Sequence, residues 1–270
     1  MDNPPTPSTV FQRAASEWEA QRLPAYVQFV SKVEDQVDPV LIVVRTRDGA
    51  AYTQTLPEPQ CRTASPATHI EGTSVETCQT PKPIVVPGAK LTGPYGSPLG
   101  FCFTRAHCTG VLHDDPFAPA QSESDGAPVI ASVHAYGNAY EISFGSRSSY
   151  VDRPVYDLVM RPRLDPKRYQ LREMLIDASN YRTYEITYDV PRVNQRDVLL
   201  RYDFGPVNDF WYLQYICVYI PPRFQSDEGG CTPESVRLSD FATPSAVPDS
   251  YFDPEQFLKS RPAAIDSGQK

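Results

Sequence analysis

The stretch RPVYDLVMRPRLDPKRYQLREMLIDASNYRTYEITYDV, residues 153–190, decides the fold class. Polar and apolar residues alternate in it, as in TYEITYDV, where Tyr184, Ile186 and Tyr188 share one side. This alternation predicts strands, and the short turns between its three segments predict an antiparallel meander. The stretch contains no Cys or His, and its acidic residues fit no catalytic pattern.

The same pattern continues beyond this stretch. RDVLLRYDFG alternates again and places four apolar residues on one side: Val198, Leu200, Tyr202 and Phe204. DFWYLQYICVYIPP is apolar on both sides, which predicts a central strand that is covered on both. Strands are also predicted in residues 25–56, with a hairpin turn at Asp48-Gly49, and around Gly137-Asn138.

One amphipathic helix is predicted over residues 8–22, STVFQRAASEWEAQR. Its apolar residues recur on one side at helical spacing: Val10, Phe11, Ala14, Ala15 and Trp18. Ser8 or Thr9 is expected to cap the N-terminus, and Pro24 to end the helix.

The chain is predicted to form a single domain, residues 1–270. Its sheet is expected to comprise residues 25–56 and 129–241, followed by a C-terminal tail, residues 242–270. Residues 57–128 hold many prolines, four cysteines and little periodicity, which indicates a long Pro/Cys-rich insertion over one end or edge of the sheet.

The predicted fold class is α+β. One helix cannot cover a sheet of about ten strands. We therefore expect a curled antiparallel sheet, a half-open barrel, with the N-terminal helix against its concave side and a polar side facing water. A concave apolar groove that the helix only partly fills would suit a lipid-like ligand.

The six cysteines, an even number in a loop-rich chain, favour disulfides and an oxidising compartment. Cys217 and Cys231 flank the turn-rich stretch PPRFQSDEGG, so a hairpin there would place them opposite each other. Cys61–Cys78 and Cys102–Cys108 would pair as sequence neighbours. Free thiols are one alternative.

A zinc site is the other alternative for the cysteines. The segment CFTRAHCTGVLHDD offers suitable ligand types: Cys102, His107, Cys108, His113, Asp114 and Asp115. It has no CxxC or HxxxH spacing, so a disulfide is favoured, and neither a metal nor a cofactor is predicted.

Charge and composition limit the class of partner. The formal charge is −8, with 25 Lys and Arg against 33 Asp and Glu and no basic run, which argues against nucleic acid. No stretch approaches the roughly 18 apolar residues of a membrane span. MDNPPTPSTVF lacks a signal peptide, but the cysteines favour a mature periplasmic or extracellular chain to which Met1 was added, with a cytoplasmic location as the alternative.

The predicted helix, the meander and YEISFGSRSSYVDRPVYDLVMRPRLDPKRYQLREMLIDASNYRTYEITYD together resemble the bacterial periplasmic lipoprotein-carrier superfamily of LolA, LolB and the N-terminal domain of RseB. VRLSDFATPSAVPDSYFDPEQF is similar to the last strand and closing segment of that family. The resemblance covers residues 8–56 and 129–258 and implies the family fold. The insertion and the lack of a lipobox cysteine depart from the family pattern. Members include carriers, anchors, regulators and an enzyme, so the fold alone does not assign the function.

These observations predict a non-enzymatic exported protein that holds a lipid, an acyl chain or another apolar ligand. Its groove would be lined by Phe11, Trp18, Tyr184, Ile186, Tyr188, Val198, Leu200, Tyr202 and Phe204. Taken singly, each of these residues is better explained as core packed against the helix. The alternative function is a protein-interaction or envelope-stress sensing module with a protein partner. No GxSxG, phosphate-loop, HExxH or dinucleotide motif supports an enzyme.

Overall fold

The computed structural model describes residues 4–34, 38–47, 50–64, 75–89, 140–163, 171–193, 196–221 and 230–260. Within these ranges the helices are α1 (Pro7–Ala20), a 3-10 helix (Asp249–Tyr251) and α2 (Pro254–Ser260). None of the helices in the described ranges combines the length and the apolar character that a membrane crossing requires.

The described residues also form fifteen strands. In chain order these are β1 (Tyr26–Val33), β2 (Val40–Arg45), β3 (Ala51–Thr55), β4 (Gln60–Ala64), β5 (Val75–Gln79), β6 (Val85–Ala89), β7 (Tyr140–Phe144), β8 (Ser149–Tyr150), β9 (Arg153–Pro162), β10 (Leu171–Asp177), β11 (Thr183–Val193), β12 (Arg196–Val207), β13 (Phe210–Ile220), β14 (Gly230–Cys231) and β15 (Val236–Ala242).

One large antiparallel sheet dominates the fold. Its strand order is β6-β3-β2-β1-β15-β13-β12-β11-β10-β9-β7, with β14 added to β13 and β8 to β9. The order begins with β6 and ends with β7, so the sheet stays open. The predicted meander is confirmed, because β9 to β13 pair with each other in sequence order.

Several pairings contain register shifts. They interrupt the ladders of β1 with β15, β10 with β11, β11 with β12, and β12 with β13. An extra residue in one strand bends it and increases its twist. The repeated shifts therefore favour a curled sheet over a flat one.

Apolar residues pack on both sides of the sheet. The larger cluster includes the buried residues of α1 and residues from β1, β2, β3, β7, β9 to β13 and β15. Ile42 and Val44 point into it, whereas Val43, between them, belongs to a second cluster with Tyr52 and the C-terminal residue Phe252. Because side chains alternate along a strand, the C-terminal segment must cover the opposite side of β2 and β3.

The limits of α1 differ slightly from the prediction. Thr6, and not Ser8 or Thr9, is the N-cap, and its hydroxyl accepts a hydrogen bond from the Thr9 N–H. Proline suits the first helical turn, where no partner for its missing N–H is needed, so the helix begins at Pro7. It ends at Ala20, before Pro24, because Gln21 is extended and bonds to the sheet.

Three strands lie within the range predicted to be an insertion. β4 and β5 form a separate two-stranded sheet, while β6 pairs with β3 and extends the main sheet. Residues 90–139, and with them the Gly137-Asn138 turn, are outside the described residues, as is the Asp48-Gly49 turn.

Candidate ligand-binding site beneath the N-terminal helix

The nine residues predicted to line a groove all lie in the cluster beneath α1. Trp18 is half-buried, and the other eight are buried: Phe11, Tyr184, Ile186, Tyr188, Val198, Leu200, Tyr202 and Phe204. The strand pairing explains their meeting, since Ile186 lies opposite Tyr202 and Tyr188 opposite Leu200. The structure places these side chains together in the core, and their contact with a ligand stays a prediction.

Helix α1 covers this apolar side with a narrow row of side chains. Val10, Phe11, Ala14 and Ala15 are each at most 2% exposed. Two of the four are alanines, so the helix backbone approaches the sheet closely and fills little space with side chains. One turn further along, Trp18 meets Phe204 edge to face, with ring centroids 5.4 Å apart.

Polar contacts fix α1 to the sheet at two points. The Arg13 guanidinium donates to the Tyr181 hydroxyl at 2.6 Å. Gln21 donates from its side-chain amide to the Trp211 carbonyl at 2.7 Å and accepts from the Trp211 N–H at 3.1 Å. Each bond is worth about 1 kcal/mol, so these anchors orient the helix without locking it.

A cleft of about 190 Å3 opens at the C-terminal end of α1. Its lining combines aromatic side chains with two cations and two anions: Trp18, Phe210, Trp211, Arg22, Arg182, Glu17 and Asp209. The Arg182 guanidinium lies 5.6 Å from the Trp211 ring centroid. The cleft is smaller than the roughly 300–1,000 Å3 of ordinary ligand pockets, so it would hold a polar head group and not a whole lipid.

Asp177 fixes the sheet residues beside this cleft. Its carboxylate accepts hydrogen bonds from the N–H groups of Ser179 and Asn180 and from the hydroxyls of Ser179 and Tyr184. Burial alone would raise the pKa of Asp177, but these hydrogen bonds outweigh it and lower the pKa below its ordinary value. Tyr184 is therefore held in place through its hydroxyl while its ring packs in the core.

The predicted polar, water-facing side of the sheet is wrong for part of β11. Thr183, Glu185 and Thr187 are 2%, 3% and 7% exposed, respectively. The Glu185 carboxylate lies 3.0 Å from the Arg147 guanidinium and 3.8 Å from that of Arg201, within a group of charged side chains from neighbouring strands and from the loop after β7. We call this group the polar cluster: Arg147, Asp157, Glu173, Glu185, Arg201 and Asp203.

Sequence reasoning missed the polar cluster. Its signal was present in the alternation, since Glu185 lies between Tyr184 and Ile186, and Asp203 between Tyr202 and Phe204. Recognising a cluster also required the strand register, which places Glu185 directly opposite Asp203. Burial, together with the charge of Glu185, raises the pKa of Asp203 to about 6 even though Arg201 opposes the shift.

The Cys217–Cys231 pair is confirmed as a disulfide, with a Cα–Cα distance of 5.2 Å. Cys78 is also disulfide-bonded, and the strand register places Cys61 opposite it. Cys102, Cys108 and the other four residues of the alternative zinc site lie outside the described residues. Within the part of the chain that is described, no three His, Cys, Asp or Glu residues are arranged to hold a metal ion.

Two solved structures are similar to this chain over 92% of its length and 98% of theirs. One is a LolA superfamily protein from Nitrosomonas europaea, with 13% identity and a TM-score of 0.30. The other, from Vibrio parahaemolyticus, is described as an outer membrane lipoprotein-sorting protein domain, with 10% identity and a TM-score of 0.35.

No family model and no curated protein matches the chain. The Nitrosomonas europaea protein is described as a member of the superfamily that the sequence of this chain resembles.

Proposed function

We propose that this protein binds a lipid or another apolar ligand, without chemical conversion, on the side of the sheet that α1 covers. The supporting observation is the way in which α1 covers the apolar side of the sheet. A continuous aromatic and aliphatic surface lies under one short helix, which contributes mainly small side chains and is anchored through Arg13 and Gln21.

The ligand that suits this site is amphipathic. Its apolar part would replace α1 against the sheet, where Tyr188, Leu200 and Tyr202 are buried. Its polar end would remain in the cleft, whose cations are Arg22 and Arg182. Trp18 lies in both places, since it lines the cleft and contacts Phe204.

Energetics favour a long chain over a small molecule. Lifting α1 would expose Val10 and Phe11, which costs about 1.5–3 kcal/mol for each side chain. A buried methylene group contributes about 0.8 kcal/mol, so on the order of six methylene groups offset that cost. Fatty acyl chains exceed this length, whereas short apolar metabolites do not.

The proposed location is the periplasm or the extracellular space. The Cys217–Cys231 disulfide supports it, since such bonds persist in oxidising compartments. Thiol counting under denaturing conditions on freshly isolated protein is the test. An unreduced sample should label fewer than six cysteines, and six free thiols would contradict export.

Titration with a dansyl-labelled fatty acid tests the binding proposal. We expect saturable fluorescence enhancement with the unmodified protein. Ala14→Trp should weaken it at least tenfold, because Ala14 lines the cleft and the indole would occupy the space proposed for the polar end of the ligand. Gln21→Ala should accelerate binding, because it removes the two hydrogen bonds to Trp211. Circular dichroism establishes that each variant is folded.

Ser16→Ala is the matched control for Ala14→Trp. Ser16 is an exposed residue of the same helix, and its hydroxyl donates to the Gln12 carbonyl of that helix. This variant should bind like the unmodified protein. Lack of saturable binding by the folded protein, or equal binding by Ala14→Trp and Ser16→Ala, would refute the proposal.

Protein interaction is the second candidate function. It is favoured by the burial of every predicted groove residue except Trp18 and by exposed apolar residues at an edge of the sheet. Ile84, just before β6, is 67% exposed, and Val86 within β6 is 47% exposed. An edge strand can accept a strand from another chain. A folded protein that takes up no fatty acid would favour this candidate over lipid binding.

A further inference from the structure

The polar cluster lies on the side of the sheet opposite α1, and it is independent of the proposed ligand site. Asp157 and Glu185 flank Leu175 on the two neighbouring strands, while Glu173 lies two residues along β10 from Leu175. Glu185 in turn lies opposite Asp203. Four carboxyl groups from four adjacent strands therefore meet on one side of the sheet.

Two arginines hold this group together. Arg147 donates from its guanidinium to Glu185 at 3.0 and 3.4 Å and to Glu173 at 3.5 Å. Arg201 donates to Asp203 at 3.0 and 3.2 Å and lies 3.8 Å from a Glu185 oxygen. Both arginines remain partly exposed, so their guanidinium groups lie between the solvent and the buried carboxylate of Glu185.

Asp157 is the carboxylate that this arrangement leaves incompletely bonded. It is 5% exposed, and its Oδ2 accepts a hydrogen bond from the backbone N–H of Arg147 at 2.9 Å. Its Oδ1 is buried and accepts no hydrogen bond from any residue that the structure describes. Glu173 is the diagonal neighbour of Asp157 across the two strands, since Glu173 pairs with Val159 and Leu175 with Asp157, and Asp157 contributes to the raised pKa of Glu173. A methyl group at Gly145 would overlap Asp157, so the site leaves no space for another side chain there.

A buried acceptor without a donor costs about 1–3 kcal/mol, and two charged carboxylates in contact cost more. One proton on Glu173 removes both costs, since a carboxylic acid can donate to the free oxygen of Asp157. With four carboxyl groups and two guanidinium groups, the bound proton also reduces the excess negative charge.

We propose that the folded protein binds one proton between Glu173 and Asp157, with the carboxylic acid of Glu173 donating to Oδ1 of Asp157. The polar cluster is thus a partly buried proton-binding site that joins β9 and β10 when it is occupied. Loss of the proton leaves two carboxylates in contact and weakens this part of the sheet.

The surroundings favour the proton on Glu173. Burial raises the pKa of Glu173, the charges of Asp157 and Glu185 raise it further, and Arg147 opposes the rise. The other charged members of the cluster nearby are Arg201 and Asp203 on β12. The Tyr150 hydroxyl on β8 faces the same cluster. On β13, Tyr215 lies opposite Asp203 and Cys217 opposite Arg201.

The sign of the pH dependence follows from the direction of this shift. Because the folded state holds the proton at a pH where the unfolded chain has lost it, the proton stabilises the fold at low pH. This contribution is complete below the ordinary pKa of Glu and disappears as the pH rises through the pKa of the folded protein.

Nuclear magnetic resonance of protein labelled with carboxyl-13C glutamate tests the proposal directly. Only Glu side chains are observed, so the titration of Asp203 does not interfere. One Glu resonance should titrate at a higher pH than the Glu resonances of the unfolded chain, and it should be missing in Glu173→Gln. If no Glu resonance is shifted in this way, or if the shifted resonance persists in Glu173→Gln, the proton site does not exist.

Stability measurements test whether the bound proton stabilises the contact between β9 and β10. Glu173→Gln carries a permanent N–H donor toward Asp157, so its urea midpoint at pH 7 should equal or exceed that of the unmodified protein. At a pH where the 13C titration shows Glu173 protonated, Glu173→Ala should lower the midpoint, because Oδ1 of Asp157 loses its donor. Glu141→Gln, an exposed Glu on β7, is the matched control and should change nothing. Equal losses in Glu173→Gln and Glu173→Ala would overturn the proposal.

Discussion

The two sides of the sheet are both buried around Glu185 and Ile186 of β11, yet they are stabilised by different chemistry. Along β11, Glu185 is 3% exposed and its neighbour Ile186 is 0% exposed. Ile186 points into aromatic and aliphatic side chains under α1, while Glu185 points into a network of arginines and carboxylates. Alternation along a strand therefore predicts which side a residue occupies, but not whether that side is dry.

The difference has energetic consequences. Hydrophobic packing is non-directional and scales with the apolar area removed from water, so the α1 side tolerates rearrangement. The polar side depends on the positions of individual donors and on bound protons, because an unsatisfied buried charge is costly. A site for an exchangeable apolar ligand fits the first side, and a response to pH fits the second.

The largest expected effect is the loss of stability when a residue on the α1 side of β11 is replaced, compared with a residue on its polar side. Ile186→Ala should lower the free energy of unfolding by about 2–5 kcal/mol through lost burial and a residual cavity. Glu185→Ala should cost less, about 1–3 kcal/mol, because it unpairs part of Arg147 but also relieves repulsion from Asp203. Urea denaturation at pH 7 measures both. A larger loss for Glu185→Ala than for Ile186→Ala would make the polar side the main source of stability.

An intermediate effect is expected from pH. Since the folded pKa of Asp203 is raised to about 6, its contribution to stability is complete below its ordinary pKa and is lost as the pH rises through about 6. The full change is at most about 3 kcal/mol. Urea midpoints between pH 5 and pH 7 should fall with pH, and Asp203→Asn should flatten part of this slope.

Glu173 shifts in the same direction as Asp203, so part of the slope should survive in Asp203→Asn. Asp177, whose pKa is lowered, acts with the opposite sign, but only as the pH falls through its folded pKa, below the ordinary Asp range. Superimposable pH profiles for Asp203→Asn and the unmodified protein would show that Asp203 titrates normally.

The smallest effect concerns the helix anchor on the α1 side. Tyr181→Phe removes the hydroxyl that accepts from Arg13, and it should lower the free energy of unfolding by about 0.5–1 kcal/mol. The guanidinium keeps its position 5.0 Å from the ring, which limits the loss. The variant should bind the dansyl-labelled fatty acid faster than the unmodified protein. A loss of several kcal/mol would mean that this contact fixes the fold and not only the helix.

Much of the sheet was predictable because its local signals are strong. Residues 153–190 predicted β9, β10 and β11, and the turn-rich stretch before Cys231 predicted its bond to Cys217. The doubly apolar segment after Asp209 became β13, which lies inside the sheet between β12 and β15. In each case the periodicity or the turn chemistry lies within one short segment.

The features that were missed depend on contacts between distant segments. No local pattern indicates that Val247, Tyr251 and Phe252 cover Val43 and Tyr52. The polar cluster likewise draws its members from five separate segments, and burial of Glu185 follows only from the meeting of those segments. The capping error at Thr6 has a local cause, because Pro7 permits the helix to start earlier than Ser8.

The position of β1 has a consequence for how the chain acquires its structure. β1 lies between β2 and β15, so Val30 pairs with Ser239 from the other end of the chain. The N-terminal strands can form their hairpins early, but they join the meander only when β15 is available to pair with both β1 and β13. Such distant pairings slow folding and leave strand edges exposed in the meantime. A chain truncated before β15 should therefore yield two half-sheets that no strand pairing joins, since β15 is the strand between β1 and β13.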